Sequence, residues 1–550
     1  MVLYEVAKIL DEIGDYLELT EDNPYKARAF YRGAQSLREN AASFTGQVDL
    51  KTLPGIGDSL AGVIQELTES GNSPYYDEVK GRISPEFRKL LHLPGLGAKT
   101  VRLILKELKP KNMNDLERAL EKREIRKLKG LSSKTEAKLK RGLEMLQTRP
   151  EQFLLGVALP LGRELIAFLT KLPGVEDAGI TGSTLRGRET VRDLDLVVAS
   201  LQEDIVAEAF ASYPRIEQII AREENHLRGM TWFGMPIDLY IVPPTVFQAT
   251  VEHLAGHVGH HAKLRQLGAE KGLEWELIPP NAYELLGLPL IPPELREAEN
   301  SLNVPGNLLQ LTDIKGDLHM HTRWSDGGHS IKEMAEAAAA KGYEYIAVCD
   351  HSKNLAIAKG LNPEQVISQR REIDQVNEEL NGKIKVLAGT EADILKDGSL
   401  DFPDEILTEL DVVVGSVHMR YKQEIEEMTC RVEAALKNPH VDILAHPTGR
   451  LVGRRDPYDL HLERVFEMAV KNNKALEINA SPSRLDLKDK YASMARDYGI
   501  PIVIDTDAHS IEELADMEYG VMTARRAGLE KQEVLNTKSR QGLEHWLKSR

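Results

Sequence analysis

Apolar residues recur at helical spacing through roughly the first 150 positions, and glycine turns break the pattern. Two breaks are near-copies, LPGIGDSLAGVI (53–64) and LPGLGAKTVRLI (93–104), and LKGLSSKTEAKL (128–139) is a weaker third. From 150 to about 242 helix and strand alternate, with DLDLVVAS and PIDLYIVPP as strands. Residues 243–298 read as mainly helical and end in the proline-rich LPLIPPELREAENS. After Thr312 short strands (YIAVCD, KVLAGTEADIL, DVVVGSVHM, VDILAHPT, KALEINA, IPIVIDTDAH) alternate with helical segments, which predicts an α/β barrel. These strands end in His, Asp or Glu, and catalytic groups of such barrels sit at the strands' C-terminal ends.

At 550 residues the chain exceeds what one core usually supports, so three to five domains are expected. A hydrophobic content of 42% argues for packed cores rather than disorder. Cys349 and Cys430 are the only cysteines, which excludes a disulfide scaffold and fits a reducing cytoplasm. The start, MVLYEVAKILDEIGDYLEL, lacks the basic and apolar regions of a secretion signal, and no apolar run is long enough to span a bilayer. A net charge of −16 argues against an all-over basic surface but permits a local basic groove for nucleic acid.

A PGxG turn between helices brings backbone N–H groups close to a phosphate; a single copy is equally well a plain helix–helix turn. Repetition resembles helix-hairpin-helix motifs, which implies that Gly55, Gly57, Gly95 and Gly97 grip DNA backbone without reading sequence. Lys99 and the run KREIRKLKGLSSKTEAKLKR supply local positive charge.

In GSTLRGRETVRDLDLVVAS (182–200), Asp193 and Asp195 stand two apart in an apolar strand pattern and so face one side. Asp238 in PIDLYIV fits a neighbouring strand. Three clustered carboxylates repel one another without a cation, and Mg2+ or Mn2+ resolves this while serving phosphoryl transfer. The plain alternative is a wet sheet edge. Gly182, Ser183 and Arg186 suit a loop that cradles a triphosphate. These motifs resemble the nucleotidyltransferase palm of family X DNA polymerases. The resemblance implies Asp193, Asp195 and Asp238 as catalytic metal ligands, Asp238 also activating the primer 3′-hydroxyl, and Ser183 and Arg186 as triphosphate contacts. The chain departs from the family at Leu185 and Tyr240, where arginines are usual, and in HLAGHVGHHAKLRQLGAEKGL (253–273). That turn keeps Gly256 and Arg265 but carries His253, Ala255 and His257. Val63 occupies the position of the family's lyase lysine, so no lyase activity is expected by that route.

In the C-terminal part, GDLHMHTRWSDGGHS supplies His319, His321 and Asp326, and later strands add His351, Glu391, His418, His446, Asp507 and His509. Imidazole and carboxylate suit zinc, manganese or iron, and nine such groups exceed one tetrahedral site, so two or three ions are expected. A lone strand-end histidine is usually only a satisfied polar group; recurrence on successive strands argues otherwise. The order HxHTxxSDG, DH, E, H, H, DxH resembles the PHP domain over nearly all of 313–550. It implies a distorted (β/α)7 barrel with His319, His321, Glu391 and Asp507 on one metal. Glu391, His418 and His446 would hold a second, and Asp326, His351 and His509 a third. Arg450 and Arg454 in HPTGRLVGRRDP are candidate substrate-phosphate contacts.

Together these parts resemble the bacterial and archaeal family X polymerases (PolX) that carry a PHP domain. The expected fold is multidomain: an all-α helix-hairpin-helix region (1–80 and 81–150), an α/β palm (151–242), a thumb (243–298), a linker (299–312) and the PHP barrel (313–550). The expected function is filling of short gaps in DNA from deoxynucleoside triphosphates, with a 3′→5′ exonuclease. Gapped or primed DNA is the partner, the chain is a monomer, and its location is cytoplasmic, at the nucleoid. The alternatives are a nuclease whose palm only holds DNA, a non-catalytic DNA-binding scaffold, and a phosphatase of small esters.

Overall fold

The computed structural model describes residues 3–548 except 21–23, 41–49, 51–52, 54, 71–72, 85–86, 88, 93–95, 97, 149–151, 276–277, 298–301, 303 and 356–357. The chain divides into two compact units. One holds Met1–Phe153, Val157–Leu185 and Thr190–Ala282; the other holds Leu154–Gly156, Arg186–Glu189 and Tyr283–Arg550.

The first unit begins with helices. In Leu3–Thr20, Val6, Leu10, Ile13 and Leu17 recur at three- and four-residue intervals and are fully buried. They share a core with Ile64 and Leu67 of the Asp58–Ser70 helix. Gly55 (φ 83°) and Gly130 (φ 88°) both take the left-handed conformation that glycine tolerates. Each heads a tight turn, closed by Ile56 N–H to Leu53 O (3.2 Å) and Leu131 N–H to Leu128 O (3.0 Å). The degenerate third hairpin therefore keeps the turn of the first.

A five-stranded sheet follows in the order Val175–Thr181, Leu194–Ser200, Pro236–Val242, His226–Thr231, Ile216–Glu223. Leu194–Ser200 runs antiparallel to Val175–Thr181 and parallel to Pro236–Val242. Leu194, Leu196 and Val198 face a core with Leu165, Leu169 and Phe210. Alternation turns Asp195 to the other face, which the Pro244–Ala255 helix partly covers.

In the second unit seven parallel strands lie in chain order: Gly316–Met320, Tyr345–Val348, Lys385–Asp393, Val412–Ser416, Ile443–Leu444, Ala475–Asn479 and Ile502–Asp505. Past the last strand, Asp507 N–H donates to His319 O (2.9 Å) and His321 N–H to Ala508 O (2.8 Å), joining the last strand to the first. Residues two apart share a face, so the interior can be read along each strand. Tyr345, Ala347 and Cys349 lead to His351; Leu387 and Gly389 lead to Glu391; Val412, Val414 and Ser416 lead to His418. The lower interior is apolar and packs on Leu543 and Leu547 of the Arg540–Lys548 helix. The ligand-type residues lie at the C-terminal mouth. Among the described residues no helix is long and apolar enough to cross a membrane, and Cys349 and Cys430 are free thiols.

Candidate metal centres

At the barrel mouth the nine sequence-predicted residues come together, with five of the histidines around Glu391. Its Oε1 lies 2.9 Å from His446 Nε2 and 3.1 Å from His418 Nε2. Its Oε2 lies 2.7 Å from His351 Nδ1, 3.5 Å from His319 Nε2 and 3.6 Å from His321 Nε2. Asp507 Oδ1 is 3.0 Å from His321 Nε2, and Asp326 Oδ1 is 3.3 Å from His509 Nε2 and 3.6 Å from His351 Nε2. Three groups have ligand atoms within 4.8 Å of one another: His321, Asp326, His351 and His509; His319, His321 and Asp507; His351, Glu391 and His418. His446 (φ 28°) and Asp507 (φ 54°) hold left-handed backbone conformations, a strain typical of functional positions. The cluster grades from fully buried at His319 and His321 to about 30% exposed at the Asp326 side chain, which marks the open side.

These groups fit divalent metal. Nδ1 of His321 and His446 are buried without a hydrogen-bond partner, and Glu391 Oε2 and His351 Nδ1, 2.7 Å apart, meet without hydrogen-bond geometry, an arrangement that costs free energy unless a cation or water completes it. Burial, then the neighbouring His509 and His351, pushes the His321 pKa down to about 4. Burial and Arg484 do the same to His446. Burial opposes ionisation of Glu391 and Asp507, yet the imidazoles around them hold both well below the usual carboxylate range. Imidazole beside anionic carboxylate is the donor set of zinc, manganese and iron.

A supporting layer was not singled out from the sequence. Glu477 accepts from His319 Nδ1 (2.7 Å) and from the backbone N–H of His446 (2.5 Å). Asp393 accepts from His418 Nδ1 (2.7 Å). Both fix which imidazole nitrogen faces the centre. Burial opposes charge on His319, but Glu477, Asp507 and Glu391 raise its pKa well above the usual value. Asp350 accepts from Thr322 N (2.8 Å), Thr322 Oγ1 (2.6 Å) and Ser325 Oγ, and so pins the turn that presents Asp326. Arg484 places Nε 3.6 Å from Asp507 Oδ2.

Arg450, expected at a phosphate, is buried and donates to Glu189 Oε2 (2.8 Å) and the Leu485 carbonyl. Arg454 is exposed.

In the five-stranded sheet Asp195 and Asp238 are direct partners on adjacent parallel strands. Asp193 stands one residue before its strand, because regular pairing begins at Leu194. Gly182 (φ 64°) lies against Asp195, where a Cβ would come 1.9 Å from Oδ2. Arg228 spans the carboxylates, Nη2 at 3.9 Å from Asp193 Oδ2 and Nη1 at 3.8 Å from Asp238 Oδ2. Arg228 thus supplies positive charge between the two carboxylates, where a divalent ion would compete with it. Burial and then Asp238 raise the Asp193 pKa, with Arg228 opposing.

Ser183 is half-buried in the short Gly182–Leu185 helix. Arg186 belongs to the second unit, where it is buried against Glu297 (3.2 Å). Gly256 ends the Pro244–Ala255 helix with no room for a side chain, since a Cβ would lie 2.2 Å from His261 Nε2. His253 stacks on His261 with centroids 5.1 Å apart. Arg265 is exposed and donates to Trp275 O (3.3 Å). Gly57 and Lys99 are exposed, and Gly95 and Gly97 lie outside the described residues.

A family model described as PHP domain matches residues 317–481. One described as helix-hairpin-helix domain matches 4–73, and one described as SAM-like helix-hairpin-helix tandem matches 87–145. The chain is 38% identical over 564 residues, 99% of each chain, to the DNA polymerase/3′-5′ exonuclease PolX of Bacillus subtilis (strain 168). It is 31% identical over 232 residues to a probable phosphatase of Thermoanaerobacter sp. (strain X514), covering 40% of this chain and 89% of that one. A probable phosphatase of Acetivibrio thermocellus is 34% identical over 202 residues, 35% of this chain and 78% of its own.

Proposed function

The chain belongs to the PolX family, DNA polymerases with a 3′-5′ exonuclease and a C-terminal PHP domain, and from that premise we propose that its two acidic clusters are separate phosphoryl-transfer centres. The palm adds nucleotides to a primer 3′ end. The barrel hydrolyses phosphodiesters at that end. The observation that carries this reading is the convergence of nine imidazole and carboxylate groups from successive strands at one barrel mouth, in addition to a separate pair of aspartates in register on the five-stranded sheet.

In the palm Asp193, Asp195 and Asp238 hold Mg2+ or Mn2+, and the Asp238 carboxylate accepts the proton of the primer 3′-hydroxyl. Gly182, Ser183, Gly256 and Arg265 are the proposed nucleotide contacts, and the turns at Gly55, Gly57 and Lys99 bear on DNA phosphates. In the barrel the nine residues hold two or three ions of manganese, zinc or iron, which when bound supply Lewis acidity at phosphorus and neutralise developing charge. Glu477 and Asp393 keep His319 and His418 aimed inward. Arg484, beside Asp507, can receive a phosphate oxygen. The substrate is gapped or primed DNA, and the protein acts as a monomer at the nucleoid in repair.

The test is a gapped duplex with a labelled primer and Mn2+. With deoxynucleotides the primer grows to fill the gap; without them it shortens from its 3′ end. Shortening without growth favours the nuclease-only reading, and the absence of both growth and shortening rejects both centres.

A further inference from the structure

We propose that His226 is a positioning residue for nucleotide addition, holding one oxygen of Asp238 so that the other faces the metal and the primer 3′-hydroxyl. The proposal rests on the reading of Asp238 as the group that accepts the primer proton.

The sheet brings the two together. His226–Thr231 runs antiparallel to Pro236–Val242 with His226 opposite Tyr240 and Arg228 opposite Asp238. His226 is thus a diagonal neighbour of Asp238 on one face, within reach of a long side chain. Its Nε2 lies 2.8 Å from Asp238 Oδ1. A carboxylate only accepts, so Nε2 carries the hydrogen. The Tyr240 ring stacks on the imidazole, with centroids 4.7 Å apart and planes 21° apart, which fixes the ring plane.

The second oxygen, Oδ2, lies on the side of Asp193: Arg228 stands 3.8 Å from it and 3.9 Å from Asp193 Oδ2, a loose pairing that an incoming cation would replace. Asp238 is 4% exposed, and water has little access to reorient it. A carboxylate tied at one oxygen presents the other in a single direction, which is what a proton acceptor at the edge of a metal site requires.

The experiment uses the full chain as wild type, His226→Leu, His226→Gln and Asp238→Ala. Gap filling is followed together with 3′ degradation, which reports that the barrel is folded. Palm Mn2+ binding is measured by electron paramagnetic resonance as the difference between each chain and the same chain carrying Asp193→Ala and Asp195→Ala, so that the barrel ions cancel. His226→Leu is expected to lower kcat for extension about 10- to 100-fold and to weaken palm Mn2+ binding about 10-fold. The nucleotide KM should stay within about threefold, and His226→Gln, which keeps an N–H donor, should recover most of the loss. Extension by His226→Leu within about twofold of wild type overturns the proposal. So do equal losses in both His226 variants, since the hydrogen bond is then not the cause. If Asp238→Ala abolishes extension while His226→Leu does not reduce it, His226 alone loses its role. If Asp238→Ala extends as wild type does, the palm reading falls and the proposal with it.

Discussion

Glu477 decides where two barrel histidines point, because it takes hydrogen bonds from the His319 ring and from the His446 backbone. Glu477→Ala leaves both donors buried and unpaired. It should reduce 3′ degradation about 10- to 100-fold and lower bound metal measured by elemental analysis, while gap filling stays near wild type. A second residue governs a pH response elsewhere. Burial, reinforced by Asp11, Glu18 and Glu12, raises the Asp15 pKa from the usual 3.8 to about 7, despite the hydrogen bond from Tyr31 (2.7 Å). The folded form therefore holds its proton over a range in which the unfolded chain has released it. The Asp15 contribution to the stability of the N-terminal helices should be fully present below about pH 4, fall as pH rises to about 7, and be lost above. Hydrogen exchange in the Leu3–Thr20 helix across that range checks this, and Asp15→Asn should flatten the curve.

At the scale of elements, the strand that begins at Leu194 depends on the turn before it. Gly182→Ala places a methyl against Asp195 and strains a left-handed backbone. Extension should fall by about two orders of magnitude or more with degradation retained; an unchanged rate would remove Asp195 from the palm centre. The strands themselves were legible, since period-two alternation with acids and histidines at strand ends points to the residues that the fold brings together. The supporting groups were not. Asp393 lies two residues after Glu391 and could have been found by alternation. Glu477 sits in KALEINA, where one carboxylate in an apolar strand looks like any other until the neighbouring strands are known. His226 comes 12 residues before Asp238, and only the hairpin register makes it a partner. Arginine forks after a ligand histidine fitted a phosphate contact, but in the fold Arg450 turns to Glu189 and Leu485 while Arg484 reaches Asp507.

For the whole molecule, the account requires two centres on two compact units, each with its own carboxylates. Metal removal should reach beyond activity. Glu391, Asp326 and Asp507 are anionic and close together, so a chelator should lower the barrel's melting temperature by several degrees, and Mn2+ should restore it. With an acidic total charge, local basic surface such as the run at 122–140 is where DNA contact is expected. The most direct measurement pairs two double variants on one gapped, 3′-labelled substrate with Mn2+. Asp193→Ala with Asp195→Ala should abolish gap filling and leave 3′ degradation within about twofold of wild type. His319→Ala with His321→Ala should abolish degradation and leave gap filling. Loss of both activities in either double variant would contradict the account of two separate centres.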